Sequence, residues 1–85
     1  YPNPFNPTTT IGFSIPYSMD IVLNVYDISG RLVKTLVDET KYAGFHSCVW
    51  DGKDQNGNSV SNGLYIYKLI SNQNSSISNK IILLK

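Results

Sequence analysis

Cysteine is nearly missing from this 85-residue sequence: Cys48 stands alone, and His46 is the single histidine. One thiol cannot close an intramolecular disulfide, and with one imidazole it falls short of the four ligands of a structural zinc site. The fold must therefore rest on its core. Charge is scarce as well, with 7 Lys+Arg against 6 Asp+Glu and a net charge of +1. Such a balance supplies no clustered basic face, so neither nucleic acid nor an anionic membrane surface is an expected partner. No aliphatic run exceeds Ile81 to Leu84, whereas a helix needs about 20 apolar residues to span a bilayer. Direct membrane insertion is not expected.

Helical patterning is absent too. No stretch of eleven or more residues places apolar side chains at i, i+3, i+4 and i+7. A chain this short buries only about 60% of its unfolded surface, which leaves little room for an enclosed catalytic pocket. The expectation is a monomeric, non-enzymatic protein without a cofactor. The sequence starts at Tyr1, with no charged segment leading into an apolar one, and so reads as a piece of a longer protein.

What is present is polar, small and uncharged: nine Asn and ten Ser. These side chains compete for backbone hydrogen bonds in a helix but suit turns and the outer faces of strands. Period-two runs bounded by Gly, Asn, Asp and Pro recur along the chain. One face of residues 8–15 carries Ile11, Phe13 and Ile15; residues 20–28 turn Ile21, Leu23 and Val25 inward, before a turn at Ser29-Gly30. Residues 31–37 change parity, which predicts a β-bulge or a strand ending near Thr35. In residues 45–50 the inward set is His46, Cys48 and Trp50, because it holds the tryptophan. Residues 51–62 read as a long hairpin loop, and strands at 63–70 and 76–85 follow. Short strands at this spacing predict one all-β domain over residues 1–85, an immunoglobulin-like Greek-key antiparallel β-sandwich of about seven strands. Residues 1–7, with three prolines, read as a stiff lead-in from something upstream.

Chemistry has few places to reside. His46 and Cys48 share a strand face, but nucleophilic catalysis also needs an oxyanion hole and an orienting group, and a free cysteine more often acts as a small core hydrophobe. The loop Asp51-Gly52-Lys53-Asp54-Gln55-Asn56-Gly57 invites comparison with calcium loops. Its register fails, since the first ligand position falls on Gly52 and the twelfth on Gly63. The acidic residues Asp38-Glu39 and Asp51/Asp54 fall in expected surface turns. Tyr17, Tyr26, Tyr42 and Phe45 are candidates for an exposed aromatic row that stacks on sugar. Gly63-Leu64-Tyr65 has the form of a tyrosine corner, in which the hydroxyl returns to the backbone and pins a crossover.

YPNPFNPTTTIGFSI at the head, VYDISGRLVKTL, AGFHSCVWDGKDQNGNSVSNGLYIYKL and the tail NKIILLK together resemble one family over essentially the whole chain. That family is the type IX secretion C-terminal sorting domains (type A), which are related to the immunoglobulin-like domain of the flagellar hook-capping protein. The resemblance implies a sorting signal that directs a larger exported protein through the periplasm of a Gram-negative bacterium to the cell surface or medium. It implies outer-membrane type IX translocon components and an upstream cargo domain as partners. Gly63 and Tyr65 match its G-x-Y motif, and Lys80, Ile81, Ile82, Leu83, Leu84 and Lys85 match its terminal signal strand. Read from the residues alone, that strand loads both faces with apolar side chains. At a sheet edge it is placed to take a partner strand; alternatively a neighbouring loop covers it. The rival reading is an immunoglobulin-like accessory module that binds carbohydrate or a protein partner.

Overall fold

Apolar residues at every second position put one face of each strand toward a shared core. The computed structural model describes residues 8–71 and 76–84; the Pro-rich lead-in, residues 72–75 and Lys85 lie outside them. Six strands occur among the described residues, against an expectation of about seven. They are β1 (Thr9–Ile15), β2 (Met19–Tyr26), β3 (Leu32–Lys41), β4 (Gly44–Trp50), β5 (Gly63–Ser71) and β6 (Ser76–Leu83). β1 and β4 pair as a small sheet, and a large sheet runs β3-β2-β5-β6. All pairings are antiparallel, giving the immunoglobulin-like sandwich expected from the spacing.

Ile11, Phe13 and Ile15 of β1 pack against Ile21, Leu23, Val37 and Leu69 of the large sheet. A second cluster joins Val25, Val33, Trp50, Tyr65 and Leu83. Leu36, Tyr67 and Ile81 touch both clusters and make the core continuous. β3 does not end near Thr35. Its pairing with β2 skips Leu36 between Val37 and Thr35, and Val33 between Lys34 and Leu32. Each skipped residue is a bulge, and Val33 and Val37, four apart with two shifts of parity between them, both lie in the core.

The β2–β3 turn and the tip of the 51–62 loop share one construction. Asp27 N–H donates to Arg31 O, and Gly30 N–H to Asp27 O; Asp54 N–H donates to Asn58 O, and Gly57 N–H to Asp54 O. In each, the aspartate Oδ1 accepts the amides two and four residues on, Ser29 and Arg31 in one, Asn56 and Asn58 in the other. Gly30 and Gly57 occupy the left-handed position with φ of 90° and 85°. This is the three-residue hairpin loop closed by a glycine bulge, written twice as Asp-x-(Ser/Asn)-Gly. It accounts for the likeness to a calcium loop, because Asp54 Oδ1 is already taken by its own turn.

The 51–62 loop is not a hairpin between neighbouring strands. It carries the chain from β4 in the small sheet to β5 in the large one, while an inner bridge joins Lys53 to Ser59. Each end is tied to the backbone. Trp50 Nε1 donates to Lys53 O at 3.0 Å, and Tyr65 Oη donates to Ser61 O at 2.7 Å, which is the tyrosine corner.

Candidate functional site

The large sheet has two edges, and they differ in kind. β3 is doubly bulged and carries Lys34, Asp38, Glu39 and Lys41. Gln55 also closes part of it: its N–H donates to Val33 O at 2.9 Å, and its Oε1 accepts from Thr35 N–H at 3.0 Å. Bulges, charges and a covering loop are the usual devices against unwanted strand pairing. Among the described residues β6 has neither a bulge nor a covering loop. Its register with β5 runs unbroken from Gly63↔Leu83 to Ile70↔Ser76, and Lys80 is its sole charged residue.

Residues named from the sequence divide between core and surface. Leu83 is 1% exposed and belongs to the second core cluster. Ile81 is half-buried beside it. Lys80 and Ile82 face the other way, opposite Ile66 and Leu64 of β5. Ile82 is 63% exposed and Leu84, just past the strand, 74%, so no loop among the described residues covers them. Ile77 is 62% exposed although it points to the core side, where the two-stranded sheet is narrower than the four-stranded one. Tyr65 is buried and serves the fold, and Gly63 opens β5 at φ 148°. Lys85 lies outside the described residues.

On the outer face, Leu64, Ile66 and Ile82 form an apolar patch flanked by Lys68 and Lys80. Tyr26 lies opposite Ile66, under the Lys68 ammonium at 5.9 Å, and its hydroxyl accepts from Asn24 Nδ2. It is therefore a packed residue and not an open stacking platform, whereas Tyr17, Tyr42 and Phe45 are exposed.

His46 and Cys48 do point inward with Trp50, both half-buried. The imidazole is committed elsewhere, with Nε2 at 2.7 Å from Tyr42 O and its ring 5.6 Å from that of Phe13. Burial pushes the Cys48 thiol up, opposed by the Lys41 charge. That disfavours the thiolate a nucleophile requires. A cleft of about 380 Å³ opens beside Asp27, Asp54, Arg31 and Tyr65. Both of its carboxylates are engaged: Asp54 accepts from its own turn, and Asp27 is held down at about 2, first by the Ser29 hydroxyl and then by Arg31 N–H. No group of three or more metal-ligating side chains occurs among the described residues.

Comparison with known proteins places this geometry in a family. The model of the FlgD Ig-like domain matches residues 4–75. The basal-body rod modification protein FlgD of Salmonella typhimurium is 37% identical over 59 residues, covering 68% of this chain and 25% of that protein. The chain thus spans a quarter of the length of the curated relative it matches. Among solved structures, FlgD from P. aeruginosa superposes with a TM-score of 0.71 at 28% identity, covering 89% of this chain and 60% of that one. Dimeric latent PorU from Porphyromonas gingivalis gives 0.69 at 23% identity, over 96% of this chain and 8% of that one, a likeness of fold alone.

These matches overturn the expected type IX sorting function, together with translocon components and an upstream cargo domain as partners, because the family and its curated relatives are those of FlgD. The physical reason for the misreading lies in the motifs. D-I-S-G-R is an aspartate-closed turn, W-D-G-K ties an indole to its loop, and G-L-Y is a tyrosine corner. They report how the sandwich is built and say nothing of a secretion route. The chain belongs to the FlgD Ig-like domain family.

Proposed function

We propose that this chain is a non-enzymatic immunoglobulin-like interaction module of a larger protein, holding a partner polypeptide along β6 within an assembly such as the one its rod-modification relatives are named for. The observation that carries the proposal is the contrast between edges: β3 is bulged, charged and clasped by Gln55, while β6 is regular and, among the described residues, uncovered beside exposed Ile82 and Leu84. An unguarded edge invites aggregation, and a partner strand that pairs with it removes that liability. The absence of an enzymatic role is supported by the engaged imidazole of His46 and the raised Cys48 thiol. We place the larger protein, as part of the same proposal, at the cell surface or in the medium; fractionation with an antibody to this chain tests that location.

The functional test is a chimera. The matched segment of Salmonella typhimurium FlgD is replaced by this chain, and flagellar assembly is scored by motility. Restored motility that is lost again on Ile82→Glu with Leu84→Glu, in a chimera that stays folded, is the expected result. A folded chimera that never restores motility, or one indifferent to both changes, would overturn the proposal.

A further inference from the structure

We propose that the strand β6 receives is acidic: an extended segment of a partner protein that sets a carboxylate opposite Lys80 and apolar residues opposite Ile82 and Ile77. This rests on the edge reading above. All six acidic residues of the chain, Asp20, Asp27, Asp38, Glu39, Asp51 and Asp54, lie on β2, β3 or the loops. β5 and β6 carry Lys68 and Lys80 with no carboxylate between them. The open side of the large sheet is thus positive and apolar, and the guarded side holds the negative charge.

Lys80 sits at the centre of that open side. Across β5 it faces Ile66, an apolar neighbour. The ion pairs among the described residues are Arg31–Asp27 and Lys41–Glu39, so the Lys80 ammonium has no acid partner among them. The position toward the free edge is the cross-strand site that a carboxylate would fill, and opposite charges in such pairs are favourable. Ile82 and Leu84, two and four positions past Lys80 on the outer face, and Ile77, three before it on the inner, ask for apolar residues opposite them.

A second copy of β6 is the poorer occupant. In an antiparallel pair about a two-fold axis, facing residues share a face of the sheet. Registers centred on Asn79, Lys80 or Ile81 then set the two Lys80 side chains opposite or diagonal to each other. Like charges so placed repel.

Three ten-residue peptides test this, alternating valine with threonine except at one central position, which is glutamate, lysine or threonine. Each is titrated against the chain at low salt, read by fluorescence anisotropy and by the amide shifts of β6. The glutamate peptide should bind tightest and perturb Ser76–Leu83, with the lysine peptide roughly threefold to tenfold weaker. Lys80→Glu should invert that order, and Lys80→Met, which keeps the stem, should level it. If all three peptides bind equally at β6, the charge inference falls and the edge reading stands. If none shifts the β6 amides, both fall. A concentration-dependent dimer through β6 would name a second copy as the occupant and overturn the acidic strand.

Discussion

Trp50 meets Tyr65 edge to face, ring centroids 5.0 Å apart and planes at 71°, where the chain passes from the small sheet to the large one. Each ring also sends a polar hydrogen into the connecting loop, to Lys53 O and Ser61 O. The pair therefore fixes both the core and the crossover. Tyr65→Phe keeps the ring and should cost about 1 kcal/mol, the net worth of one hydrogen bond. Tyr65→Ala should cost about 3–5 kcal/mol, the range for removing a buried aromatic. Urea unfolding of the two variants checks the difference.

Asp27 gives the fold an acid-sensitive component. Its carboxyl lies at about 2 in the native state, against about 3.9 in an unfolded chain. A depressed value stabilises the native state above the unfolded pKa and is lost as pH falls through the native one. The contribution should be complete above about pH 4 and fade toward pH 2. Asp27→Asn should lower the urea midpoint at pH 6 and flatten the profile between about pH 4 and 2.

Because the turns at Asp27 and Asp54 share one geometry, their glycines should respond alike. Gly30→Ala and Gly57→Ala each put a Cβ on a left-handed residue, at a cost of about 1–2 kcal/mol. The turns are separate, so the double variant should lose close to the sum. Thermal unfolding of the three variants measures this; a loss at one turn only would contradict the shared construction.

Gln55 guards β3. Gln55→Ala should remove the bond to Thr35 N–H, cost about 1 kcal/mol and bare a ladder edge. Light scattering of concentrated protein should then show more association than in the parent. An unchanged monomer would mean that bulges and charges protect this edge without the side chain.

Neighbouring residues of β6 should separate core from surface. Leu83→Ala should cost about 2–5 kcal/mol, and Ile82→Ala less than about 0.5 kcal/mol. Removal of the whole terminal strand would therefore unfold the sandwich before it tested recognition. Point changes at Lys80, Ile82 and Leu84 are the informative ones.

Alternation along the chain was enough to place Ile11, Phe13, Ile15, Ile21, Leu23 and Val25 in the core, because a strand's faces follow from a period of two. The tyrosine corner was legible in the same way, from a glycine, a tyrosine and the strand they open. The second Asp-x-(Ser/Asn)-Gly turn was also written in the sequence. The failed calcium register at 51–57 left turn chemistry as the reading, but only the backbone bonds of Asp54 show where its oxygen points.

Local chemistry thus determined strands, turns and the small apolar core, since each depends on residues a few positions apart. Tertiary structure alone decided which strands became edges, that Gln55 would reach back across twenty residues to Thr35, and that β6 would lie at the far edge of the large sheet. Edge status depends on strand order, which arises when all the apolar faces compete for one core. No window of sequence contains that competition.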